Sequence, residues 1–200
     1  MMDITNSHSI NLQAGLLGRQ SIPPRLMSEP APNVNDVHDM LAAAVCAPDH
    51  GAIRPWRFHV IQGESRLKLG NIFAEALKKR EPQASLESIH KEENRPLRAP
   101  LIIAVCAKID ISRLDKIPAV EQIVSVGAAC QNILLSAYDK GYGAIILTGI
   151  NARDSYVKKE FGLEGPDEIV GFIYIGTNSN SNSITFEKNR PDYSNYMTEW

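Results

Sequence analysis

One uncharged run, residues 100–107 (PLIIAVCA), constrains this chain more than any other segment. It is far too short to cross a membrane. A continuous apolar run of strand length is read as a central strand, covered on both faces. Residues 56–61 (WRFHVI) instead alternate apolar and polar side chains, so a strand with one buried face is expected there. Residues 144–147 and 169–175 (IVGFIYI) complete a set of four strands, the first entered by a turn at Gly141-Tyr142-Gly143. Between them the period lengthens to that of helices. Helices are expected over 10–18, with Ile10, Leu12, Leu16 and Leu17 near one face, and over 64–80, packed through Leu67, Ile72, Phe73, Ala76 and Leu77. Residues 33–45 form another, capped by Asn33 or Asn35 with Val37, Met40, Leu41 and Ala44 inward. A polar, mostly exposed helix covers 86–94, and one over 154–161 ends at Gly162. The longest, 117–140, is apolar nearly all round and so reads as buried. Gly127-Ala128-Ala129 would let a neighbouring helix come close. Long helices between well-separated strands make the fold class α+β, in a single domain over 1–200 with a flexible N-terminus (1–9) and a C-terminal extension (178–200).

Composition narrows the function. Lys and Arg number 21 against 23 Asp and Glu, a net charge of −2, which lacks the basic excess of a nucleic-acid binder. Two hundred residues bury roughly 70% of the surface of the unfolded chain, so the core needs no staples. The three cysteines, Cys46, Cys106 and Cys130, are odd in number and far apart. Reduced thiols and a cytoplasmic location are expected, with no leader and no membrane contact. Cys106 and Cys130 read as inert core thiols. The tail departs from a plain linker: after the Asn/Ser-rich 178–183 it carries Ile184, Phe186, Tyr193, Tyr196 and Trp200. Apolar anchors of that kind pack on something, a second subunit being the natural candidate.

Familiar catalytic motifs are missing. There is no CxxC or HExxH, and His8, His38, His50, His59 and His90 are scattered, so no metal site is expected. Neither a GxSxG elbow nor a P-loop is present, and Gly141-Tyr142-Gly143 precedes a strand where a dinucleotide fingerprint would follow one. Two loops remain. Arg19 and the hydroxyl of Ser21 follow a helix end, where a guanidinium fork and free amides suit a phosphate; a solvated helix end is the plainer reading. Residues 47–56 (APDHGAIRPW) gather His, Arg and Trp in a turn-dense stretch entering a strand. There the plainer reading has Asp49 capping a turn, His50 bonded locally and Trp56 in the core. Glu121, the odd carboxylate in an apolar helix, is expected to be paired at the subunit interface or to sit near the helix start.

The ordered set of segments resembles the nitroreductase family, in its YdjA-like branch. RQSIPPRL (19–26), EPAP (29–32) and APDHGAIRPWRFHVI (47–61) carry the likeness, followed by RAPLII (98–103), PAVEQ (118–122), GAACQN (127–132), GYGA (141–144) and IVGFIYIG (169–176). Together they span about residues 10 to 177. The resemblance implies a homodimer of α+β subunits, a central, mostly antiparallel sheet flanked by helices, an extended C-terminal tail and FMN at the subunit interface. By position it implies that Arg19, Gln20 and Ser21 meet the phosphate and ribityl chain, that His50 lies near the flavin with Arg54 one turn on, and that Ile146, Leu147 and Thr148 reach the flavin from the other subunit. Lys188 or Arg190 would add a cation at the phosphate. Gln20 and Cys46 stand where relatives carry arginine, and Ile146 where many carry tryptophan. The implied activity is FMN-dependent, NAD(P)H-driven two-electron reduction of nitroaromatics, quinones or similar small acceptors by a ping-pong cycle. Because two positive charges are gone, a flavin-binding or sensing protein without turnover, or a dimer without flavin, stays open beside it.

Overall fold

The structure, a computed structural model, describes residues 12–179 and 190–200. Expectations for residues 1–9, Ile10, most of the 178–183 linker, Ile184, Phe186 and Lys188 lie outside those residues. In chain order the elements are α1 (Leu12–Gly18), β1 (Met27–Ser28), α2 (Val34–Ala44), β2 (Trp56–Gln62), α3 (Ser65–Arg80), α4 (Leu86–Asn94), β3 (Leu101–Ala107), α5 (Ala119–Asp139), β4 (Tyr142–Leu147), α6 (Ser155–Glu160) and β5 (Glu168–Asn178).

The apolar run at 101–107 is the middle of the sheet. All seven residues of β3 are buried, and it pairs antiparallel with β2 on one side and β5 on the other. Each large side chain placed there contributes about 1.5–3 kcal/mol over leaving it in water. Alternation then sorts the strand between two cores. Leu101, Ile103, Val105 and Ala107 face α2 and α5, while Ile102, Ala104 and Cys106 face α3 and α6. β4 pairs antiparallel with the far side of β5, and short β1 pairs with β5 at Thr177 and Asn178. This is the expected antiparallel sheet flanked by helices. Cys106 and Cys130 are buried free thiols, and burial pushes each up to about 12, as inert core thiols require.

Local chemistry sets the helix ends. Asn33 caps α2, its side chain accepting from Asp36 N, which settles the choice between Asn33 and Asn35. Asp154 caps α6 through Tyr156 N and Val157 N. β1 was not foreseen: two residues give no period to read. Tyr142 and Gly143 lie inside β4 rather than in a turn before it, because the pairing Tyr142↔Thr177 and Gly143↔Gly176 extends the strand.

Two expectations are corrected. α5 is not covered all round: Val120 and Val124 are 64% and 66% exposed, because the sheet and α2 cover only one side of it. Among the described residues nothing lies within 4 Å of a Cβ added at Gly127, whereas Ala129 is buried in the cluster that holds Val37, Met40 and Ala44 of α2. The tightest helix approach is at Gly70 of α3, where a Cβ would lie 2.1 Å from the Glu93 carbonyl oxygen. Similarly, α1 buries none of its residues, leaving Leu12 and Leu17 at 68% and 60% exposure. No helix among the described residues is long and apolar enough to cross a membrane.

Candidate functional site

The sequence-derived residues fall into three places. The first lies where α1 ends. Arg19 N donates to Gly15 O, continuing the helical turn, and Ile22 N donates to Ala144 O, tying the segment to the outer edge of β4. The Arg19 Nε–H is buried without a partner among the described residues, an uncommon state for a guanidinium. Arg190, from the tail, reaches the same turn: its Nη2 donates to the carbonyls of Leu17 and, at 3.0 Å, Arg19. Gln20 is half-buried and Ser21 exposed beside them. A positive charge on the carbonyl end of α1 suits the helix dipole, so Arg190 both closes the helix and adds charge next to Arg19.

The second place is the end of β4. Ile146 packs into the α5 core and Leu147 into the α3–α6 core, as alternation requires. Thr148 is exposed just beyond the strand. Leu147 and Thr148 line a cavity of about 130 Å³ with Arg95, Arg98 and Tyr174. A polar network, missed in the sequence, pins the loop that follows. Asn151 Nδ2 donates to Glu92 at 2.7 Å, Arg95 pairs with the same carboxylate, and Arg80 Nη1 donates to Asp154 at 2.5 Å. Burial raises the Glu92 carboxyl, but hydrogen bonds from Arg95 and Asn151 outweigh it and leave the group below its ordinary value. The only sequence signal was a glutamate on the inward side of an otherwise polar helix.

The third place is the loop before β2. Gly51, Ala52 and Arg54 all have positive φ, at 69°, 53° and 56°. Left-handed backbone at two non-glycine residues is costly and marks functional loops. At Gly51 a Cβ would be strained by the positive φ and would displace the ends of two side chains, lying 2.5 Å from Ile117 Cδ1 and 2.9 Å from Arg113 Nη2. Asp49 closes the turn by accepting from Arg54 N at 2.7 Å. The plainer reading therefore holds for Asp49, and Trp56 packs partly buried against the core. It fails for His50, whose Nδ1 lies 2.6 Å from Glu121 Oε2 in the first turn of α5. Glu121 thus sits near the helix start, as expected, and its partner there is a residue of its own chain. One turn on, Ser125 Oγ donates to Pro48 O at 2.7 Å.

Arg19, Gln20, Ser21 and Arg190 come together; Ile146, Leu147 and Thr148 follow along the same outer strand; His50 and Arg54 stand apart, at the opposite edge of the sheet. Among the described residues no hydrogen bond or ion pair joins the loop to the other two places. Cys46 is exposed at the end of α2, its Sγ donating to Ala42 O.

Comparison with known proteins decides the family. The sequence profile of the nitroreductase family matches residues 16–177. The chain belongs to the nitroreductase family. It is 36% identical over 174 residues to the provisionally named NAD(P)H nitroreductase YdjA of Escherichia coli K12, covering 86% of this chain and 91% of that protein. The nitroreductase-like family protein of Bacillus cereus shares the fold with a TM-score of 0.78 at 22% identity, over 100% of this chain and 99% of that one. A nitroreductase with bound FMN from Bacteroides fragilis shares it with a TM-score of 0.67 at 14% identity, over 96% and 100%. Membership makes this nitroreductase-family chain an oxidoreductase.

Proposed function

We propose that this nitroreductase-family chain is an FMN-dependent NAD(P)H oxidoreductase, a single-domain subunit of a cytoplasmic homodimer that reduces nitroaromatics, quinones or similar small acceptors in a ping-pong cycle. The observation that carries the cofactor reading is the buried Nε–H of Arg19, without a partner among the described residues, beside a second guanidinium from Arg190. A phosphate monoester is the group that such a pair fits, because its bond to Arg19 would relieve a desolvated donor while the exposed Arg190 adds a second charge beside it. Arg19, Gln20, Ser21 and Arg190 would hold the phosphate and ribityl chain. The end of β4, Ile146 to Thr148, would support the ring from one subunit, and His50 and Arg54 would approach it from the other. FMN, when bound, supplies the two-electron hydride chemistry. What the chain supplies is a fixed cradle, cations, and an apolar surface that keeps water away.

The homodimer reading is supported by apolar surface left exposed among the described residues. Val120 and Val124 on α5, Leu12 and Leu17 on α1, and Tyr193, Tyr196 and Trp200 in the tail are all exposed. Loop and phosphate turn lie at opposite edges of the sheet, so two copies would be needed to close both around one flavin.

The test is the visible absorption spectrum of the purified protein, with the released chromophore identified and counted, followed by NAD(P)H oxidation with a quinone or nitroaromatic. About one FMN per chain with acceptor-dependent turnover is expected. FMN without turnover would favour a sensing role; a colourless protein indifferent to added FMN would refute the cofactor assignment.

A further inference from the structure

We propose that Glu92 is a positioning residue that holds the Arg95 guanidinium and the loop after β4 in place beside the flavin ring, and so sets the redox potential of that ring. This role rests on the function proposed above. Three elements meet at the carboxylate. Glu92 is in the last turn of α4, Arg95 opens the turn that follows (Arg95–Arg98), and Asn151 lies in the loop between β4 and α6. Glu92 is 7% exposed and Asn151 5%, so their polar atoms must find partners within the protein. The Glu92 carboxylate accepts from Asn151 Nδ2 at 2.7 Å, from Arg95 Nε at 2.8 Å and from Arg95 Nη2. Asn151 Oδ1 in turn accepts from Arg80 Nη2 at 3.4 Å, which orients the amide between an anion and a cation. Arg80 Nη1 continues to Asp154, the cap of α6. The loop is thereby held at both Asn151 and Asp154.

Stability does not call for such an arrangement. A buried ion pair can be exchanged for well-packed apolar side chains at little or no cost, whereas its geometry is specific. What this pair does is place a charge. The two-pronged bond uses Arg95 Nε and Nη2, and no hydrogen bond among the described residues uses Nη1. Arg95, and not Glu92, lines the cavity of about 130 Å³ that it shares with Leu147, Thr148, Gly149 and Asn151. Leu147 and Thr148 are the strand end assigned above to the ring. Buried Phe73, Phe172 and Tyr174 complete the lining, and charges act more strongly in such surroundings than in water. Arg98 Nε donates to Arg95 O at 3.0 Å, so the turn that carries Arg95 is itself braced.

The two halves of the pair act on the ring with opposite sign. Reduction of a flavin adds electrons to its ring, so a guanidinium beside it favours the reduced form. The carboxylate, one residue further from the cavity, opposes that effect and limits it. Glu92→Gln keeps the shape and an acceptor oxygen but removes the negative charge; Arg95→Gln removes the positive one. Both break the same buried pair, so a purely structural role would move the potential in one direction or leave it still.

Redox titration of the FMN-loaded protein, followed by visible absorption, tests this. At fixed potential the ratio of reduced to oxidised flavin should rise about tenfold in Glu92→Gln and fall about tenfold in Arg95→Gln, shifts of about 30 mV up and down for a two-electron couple. Amide hydrogen exchange over residues 148–154 of the FMN-free protein should quicken about tenfold or more in Glu92→Ala, with Glu92→Gln closer to wild type because Asn151 keeps its acceptor. Potentials that move together or not at all overturn the proposal while leaving the FMN reading intact, as does exchange that Glu92→Ala leaves unchanged. Should a single variant not fold, Glu92→Gln/Arg95→Gln leaves no buried charge unpaired. Its potential should fall, since the lost guanidinium is the group lining the cavity; an unmoved potential there also overturns the proposal. A wild type that binds no FMN removes the functional reading and this role together.

Discussion

Arg19 stands out among the side chains because its Nε–H is buried with no partner among the described residues. If that donor meets a phosphate, Arg19→Ala should weaken FMN by about 1.5–3 kcal/mol, roughly ten- to hundredfold in Kd. A fluorescence titration of the apoprotein reads this directly, and an unchanged Kd would mean that the phosphate lies elsewhere. Other side chains govern stability against acid. Burial raises Glu92 and Asp167, but hydrogen bonds from Arg95 and Asn151, and from Glu164 N, Lys108 and Ile109 N, outweigh it, leaving both carboxyls low. Groups with depressed folded values contribute stability above their unfolded values and lose it as pH falls toward the folded ones. His59 behaves alike, burial lowering it: the unfolded chain takes up a proton near pH 6.5 and the folded one only below. The melting temperature should therefore begin to fall below about pH 6.5 and fall further below about pH 4.5. Glu92→Gln should flatten the lower part; a melt independent of pH from 7 to 3 would contradict this account.

At the scale of elements, two helical glycines make opposite predictions. Gly70 lets α4 close onto α3, and a methyl group there would meet the Glu93 carbonyl at 2.1 Å. Gly70→Ala should destabilise by about 1–3 kcal/mol through overpacking, despite the gain of about 1 kcal/mol in helix propensity. Gly127, on the open side of α5, has nothing near its Cβ. Gly127→Ala should stabilise an isolated subunit by about that same 1 kcal/mol. Denaturant melts of both variants at low protein concentration compare them; a destabilising Gly127→Ala would show that a second surface already packs there. Helix character at both positions is readable from the sequence. The one that meets a backbone is not, because 3.6-residue spacing says which residues share a face and nothing about what lies opposite.

For the whole molecule the open face of α5 is the main question. Val120 and Val124 protrude beside the His50 loop, and a charge there would have no counterpart in an apolar interface. Val124→Glu should shift light scattering from dimer to monomer mass and lower flavin content in parallel. A monomeric variant with full flavin would show that one copy suffices for the cofactor; a wild type already monomeric would refute the dimer.

From the sequence alone, the uncharged run at 101–107 determined the centre of the sheet, since only a strand buried on both faces tolerates it. The start of α2 was narrowed to Asn33 or Asn35, because capping is local chemistry, and that of α6 to the region of Asp154. The alternation at 56–61 placed Trp56 and Phe58 on one side and His59 on the other. Only the tertiary structure decided the contacts between distant residues. The sequence marked Glu121 as an odd carboxylate, but its partner His50 lies 71 positions away. Arg190 reaches the Arg19 turn from 171 positions away, and Glu92 is buried because Asn151 and Arg95 converge on it. Periodicity showed α5 to be apolar nearly all round, yet one side of it remains open. Hydrophobicity measures what a surface needs to bury, while the packing of α2 and the sheet decides how much of it one chain can cover.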